Sequence, residues 1–208
     1  MKCCGRVLTE ADLMLLDGDP ELVPEEVLRR FAIHPSSCFD ENEYQAAWRR
    51  LAHRMIRLQE EAPDAGLTFG MTRAKSLSWP EDERTALREQ FTGAIMRAVA
   101  DEERWPNLDG LIQSAAHLDE DLTPWLRLVD SLPDEVVVHL AKGWSFDVYY
   151  DNGRFGNWLY WEDPTSGEQM QEWLLRPALR DRLSEVNSEV AQSALEHLRW
   201  LVGDFSTR

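Results

Sequence analysis

Apolar residues recur along this chain at steps of about three and four positions, the spacing that lines up one face of an α-helix. The pattern is plainest between Asp40 and Glu61, where Tyr44, Trp48, Leu51, Met55 and Leu58 form a stripe. Arg49, Arg50, His53, Arg54 and Arg57 fall largely off that stripe and make a basic face. Upstream, Thr9 before Glu10-Ala11-Asp12 predicts a capped short helix, which Asp17-Gly18-Asp19-Pro20 breaks. Pro24 opens a second helix with acids in its first turn and Arg29-Arg30 near its end, and His34-Pro35 stops it.

Beyond Pro63, residues 67–79 read as a short mixed segment. Pro80 starts a long helix with Leu87, Phe91, Ile95 and Ala98 facing inward, closed at Trp105-Pro106. Helices over 108–117 and 121–131 follow, Pro124 fitting only the first turn of the latter. Pro133 opens another, carrying Val136, Val137, Leu140, Trp144 and Val148 to the terminator Asp151-Asn152-Gly153. A hairpin pairing Val148–Tyr150 with Trp158–Trp161 competes there, and the spacing back to Val136 favours the helix. Residues 166–176 and 178–202 supply the last two helices.

Strand alternation is nearly absent, so the expected class is all-α: a single domain over 1–208, with 1–7 as a flexible start. About eight or nine helices are expected, in an irregular bundle or a short α-solenoid of antiparallel pairs.

Composition narrows the function classes more than the fold. A net charge of −16 repels a phosphate backbone and an anionic membrane, so neither nucleic acid nor membrane is an expected partner, whereas a basic protein is compatible. No apolar run approaches a bilayer span, and the start of the chain does not read as a signal peptide. The odd count of cysteines, 3, with two adjacent, is a poor disulfide framework and points to a reducing cytoplasm.

Several segments in order resemble an uncharacterised bacterial all-helical family of unknown role. They are Glu25 to Arg30, Trp48-Arg49-Arg50-Leu51-Ala52-His53-Arg54-Met55, Phe69-Gly70, Ser78-Trp79-Pro80, Asp121 to Leu126, Asn157-Trp158 and Trp173 to Leu183. The resemblance spans residues 25–185 and implies a helical fold. It implies no catalytic residue.

Motifs for chemistry are missing: no phosphate loop, no nucleophile elbow, no His-Glu-x-x-His helix. Cys3, Cys4, His34 and Cys38 offer three sulfurs and an imidazole for zinc, but their spacing matches no common zinc pattern. No metal or other cofactor is expected. The acids of His117-Leu118-Asp119-Glu120-Asp121 suit a hard cation, yet they precede a helix whose dipole accounts for all three. Glu135 and His139 share a helix face four residues apart, but a bundle metal site needs paired Glu-x-x-His motifs and this chain has none. His53 reads as part of the arginine face, itself expected to pair with neighbouring acids, and His197 as ordinary helix surface.

The densest aromatic stretch runs from Trp144 to Trp161. Within it Tyr150, Arg154, Trp158 and Trp161 are the residue types enriched at interface hot spots, and burial in the core is the competing account. Acidic charge, aromatic cluster and missing motifs together lead to the expectation of a non-catalytic interaction module, an adaptor, inhibitor or immunity-type protein. The alternative is an enzyme or small-ligand binder with a pocket between helices.

Overall fold

The computed structural model of this chain describes residues 8–34, 36–150 and 165–201. Among them all regular structure is helical, with 11 α-helices, a few short 3-10 turns and no strand. Backbone proximity groups the chain into two compact units, Met1–Glu120 and Asp121–Arg208.

The first unit carries α1 (Glu10–Asp17), α2 (Glu25–Ile33), α3 (Glu41–Glu61), α4 (Ala65–Arg73), α5 (Glu81–Val99) and α6 (Leu108–Asp119). Its helices start where local chemistry dictates. Thr9 Oγ1 accepts the Asp12 amide at 3.2 Å while Asp12 Oδ2 accepts the Thr9 amide at 2.8 Å, a reciprocal capping box. Asp40 accepts the Asn42 and Glu43 amides at the head of α3. The α3 stripe is buried as its spacing predicts, and burying side chains such as Leu51 or Met55 contributes about 1.5–3 kcal/mol each. Phe31 of α2 packs against Tyr44 at 5.3 Å and Trp48 at 5.9 Å between ring centroids.

Helix α4 corrects the expected count of eight or nine. Its two glycines and two threonines are weak helix formers, so residues 67–79 carry little helical signal. Tertiary packing stabilises it instead. A methyl group on Gly66 would stand 2.8 Å from the Ile33 backbone, and one on Gly70 would stand 1.9 Å from the tip of the Trp48 ring. Only a helix without side chains at those points can lie this close to α2 and α3. Asp64 caps it through the Gly66 amide at 2.7 Å.

The second unit carries α7 (Thr123–Asp130), α8 (Asp134–Tyr150), α9 (Thr165–Leu175), α10 (Pro177–Glu185) and α11 (Glu189–Leu201). The last two replace the single helix expected over 178–202 and account for the other miscounted element. Ser188 Oγ accepts the Ala191 amide at 3.1 Å, so a new N-cap interrupts the helix after Val186. Its core is the seam of α8 on α11, where Val137, Ala141, Ala194 and Leu198 are buried. Trp144 meets Trp173 edge-on at 5.4 Å. Helix α8 continues through Tyr150, so the hairpin alternative does not hold for 148–150; residues 158–161 lie outside the described residues.

Candidate functional site

Most residues singled out as candidate sites fall at the edges of what is described. Cys3, Cys4, Arg154, Trp158 and Trp161 lie outside the described residues, and Tyr150 is the last residue of α8. His34 is buried and stacks edge-on against Phe39 at 5.2 Å, and Cys38 is half-buried in the 3-10 turn that follows. Among the described residues, no three of His, Cys, Asp and Glu come together to hold a metal ion. Trp144, the head of the aromatic stretch, is core.

The basic face of α3 is structural. Arg49 forks onto Glu83 of α5 and Arg57 onto Glu21 at 2.7 Å. Arg50 donates to the Asp17 carbonyl at 2.6 Å, and Arg54 to the Pro20 and Val23 carbonyls at 2.6 and 2.7 Å. Those carbonyls lie at the end of α1 and in the turn leading to α2, where helical partners run out. His53 sits 2.6 Å from the Gln90 side chain, which donates back to the His53 carbonyl.

The same holds for every other lysine and arginine between Leu8 and Glu120. Arg29 and Arg30 reach Glu25 and Asp12, Lys75 reaches Glu41, and Arg73 donates to the Ala32 carbonyl. Arg84 and Arg88 converge on Asp119, with Glu81 behind them, and Arg97 and Arg104 converge on Glu60. The Arg97 fork, at 2.8 Å on both oxygens, holds the Glu60 carboxyl below the usual carboxylate range, with Arg104 adding to it. Glu26, Glu61, Asp82, Glu89, Glu102 and Glu103 are exposed and have no ion pair or side-chain hydrogen bond among the described residues. The outward surplus of this unit is therefore carboxylate.

Asp119 and Glu60 organise the charges of α5; Asp119 was expected to serve the dipole of the next helix, and no sequence signal marked Glu60. Asp119 is not a cap: it ends α6 and receives Arg88 at 2.7 and 2.6 Å. Asp121 does behave as expected, accepting the Thr123 amide at 2.9 Å. His117 is fully buried, 2.7 Å from Thr72 Oγ1 and edge-on to Phe69 at 5.2 Å. The buried Gln59 is satisfied at both ends, by the Asp64 amide, Thr68 and the Gly110 carbonyl. These groups bind neighbouring helices together.

His197 departs from its expected place on a helix surface. It is half-buried between α11 and α8, 3.4 Å from Ser145 Oγ and stacked on Phe146. Burial pushes its pKa below the usual histidine value.

The concave feature of the second unit is a cleft of about 230 Å³ between α7 and α9, lined by Thr123, Leu126, Arg127, Asp130, Gln169, Glu172, Trp173 and Arg176. Its frame is tightly bonded. Asp130 accepts the Trp173 indole at 2.9 Å and a two-pronged Arg176 contact, and the Arg176 guanidinium lies 5.1 Å over the Trp173 ring. Gln169 accepts the Leu122 amide at 2.9 Å and donates to Asp121 at 3.0 Å. None of these lining residues had been singled out as a site. They come from segments about fifty residues apart in sequence, roughly the separation that makes such a pairing invisible to local patterns.

Comparison of the chain with protein-family models, with curated proteins and with solved structures gives no match. No helix among the described residues is long and apolar enough to cross a membrane.

Proposed function

We propose that this chain is a non-catalytic interaction module whose acidic face receives a basic protein partner. One observation carries it: between Leu8 and Glu120 every cation is tied to its own unit, while exposed carboxylates on α5 and the turn after it stay unpaired. Such a face repels polyanions and steers a cationic surface toward it, an effect that weakens with salt. Asp82 and Glu89 stand two turns apart on α5, and Glu102 and Glu103 follow it in the 3-10 turn 102–107. A helical frame whose lysines and arginines are bound into it suits a rigid binding surface.

The test is native mass spectrometry of the chain isolated from its own cells, beside a variant with Asp82→Lys, Glu89→Lys, Glu102→Lys and Glu103→Lys. The expected result is a basic protein that travels with the natural chain at low salt and leaves at high salt. Its affinity for the variant falls at least about tenfold. A bare chain at low salt, or a partner indifferent to the four reversals, overturns the proposal.

A second reading, a small-ligand binder, has the cleft of α7 and α9 in its favour.

A further inference from the structure

Two charges lining the cleft are idle. Asp130, Arg176 and Gln169 are consumed by the bonds that build its frame. Arg127 on α7 and Glu172 on α9 are exposed, and neither side chain has an ion pair or hydrogen bond among the described residues. A lone arginine in a cleft selects an anion. A lone arginine and a lone glutamate on two different helices of one cleft select a molecule that carries both signs. Leu126 and Trp173, both largely buried, line the same cleft with apolar atoms.

Size narrows the class. A volume of about 230 Å³ holds roughly eight water molecules and falls below the range of about 300–1,000 Å³ typical for drug-sized ligands. We infer that the cleft binds a free α-amino acid with an apolar side chain. The carboxylate meets Arg127 in a two-pronged contact, the ammonium meets Glu172, and the side chain lies against Leu126 and Trp173. The inference rests on the cleft and not on the acidic face of the other unit, so either can fail while the other stands.

Isothermal titration of the full chain with L-phenylalanine and L-leucine tests it, with N-acetyl-L-phenylalanine lacking the ammonium and L-phenylalaninamide lacking the carboxylate. Saturable binding of the free amino acids is expected, weakened at least about tenfold by either blocking group. Arg127→Gln is expected to weaken L-phenylalanine at least about tenfold and to leave the amide unchanged. Glu172→Gln does the same for the ammonium and leaves the N-acetyl compound unchanged. Both side chains are exposed, so the variants keep the fold, which far-ultraviolet circular dichroism verifies. No heat at about 10 mM amino acid, a concentration well above a millimolar dissociation constant, overturns the inference. So does an N-acetyl compound that binds as tightly as its parent, which would mark a plain carboxylate site.

Discussion

Between Leu8 and Glu120 each lysine and arginine reaches a carboxylate or a main-chain carbonyl of its own unit, whereas beyond Asp121 Arg127, Lys142, Arg180 and Arg199 reach neither among the described residues. Two glycines show a further contrast. Gly70 of α4 is pressed against Trp48, while Gly143 of α8 has open space where a side chain would begin. Around α4 the first unit is therefore assembled by geometry that tolerates no added atom, and guanidinium forks join α3 and α5 along a polar seam. The second is held by apolar contact of α8 with α11 and by Trp144 on Trp173, and it keeps charges unengaged. Unengaged charge on a rigid frame is what a binding site requires, and charge saturated by its neighbours is what a scaffold requires.

The same substitution in the two units separates them most sharply. Gly70→Ala is expected to cost about 3 kcal/mol in urea denaturation, because the Trp48 ring or the α4 backbone must move. A loss below about 0.5 kcal/mol, the range of a neutral surface change, would show that α4 sits loosely on Trp48.

Arg88→Gln follows at about 2 kcal/mol, since it strips Asp119, only 11% exposed at its side chain, of its closest cation. An unchanged urea midpoint would reduce the forks of α5 to surface decoration.

Glu60→Gln is expected to cost about 1.5 kcal/mol at pH 7. Its folded-state pKa is depressed by Arg97 and Arg104, so its stabilisation is present above the ordinary carboxylate value and is lost as pH falls through the depressed one. The natural chain should lose stability on acidification through that window, and the variant should lose less. Parallel curves for the two would remove Glu60 from the seam.

Gly143→Ala carries the opposite sign, a gain of about 0.5–1 kcal/mol, because alanine restricts the unfolded chain and meets nothing in the helix. Smallest of all, Arg127→Gln should move stability by no more than about 0.5 kcal/mol, as expected of a side chain with no structural partner. A loss comparable to that of Arg88→Gln would show that Arg127 is structural and would erase the contrast between the units.

Much of the helical layout was written locally. Thr9, Asp40 and Pro80 mark starts because cap chemistry acts over one turn, and the stripe from Tyr44 to Leu58 marks a buried face because its period is that of the helix. The basic face of α3 was legible as a face that would pair with acids, though not the partners: Glu83 and Glu21 lie more than thirty positions away from their arginines. Little of the cleft was legible. Arg127 and Glu172 look like any exposed helix charges until their neighbours are known to be occupied.

By itself the sequence determined that the chain is helical, where most of its helices begin, and that its surplus charge is negative, since caps, periodicity and composition are local or additive properties. Tertiary structure alone decided that residues 65–73 form a helix, because Gly66 and Gly70 are poor helix formers that become an advantage only beneath Ile33 and Trp48. It alone decided that Asp119 and Glu60 are anchors, that His117 and Trp144 are core, and that Arg127 and Glu172 are left over. Whether a charge is engaged or idle depends on which distant side chains fold back to meet it, and no local pattern carries that information.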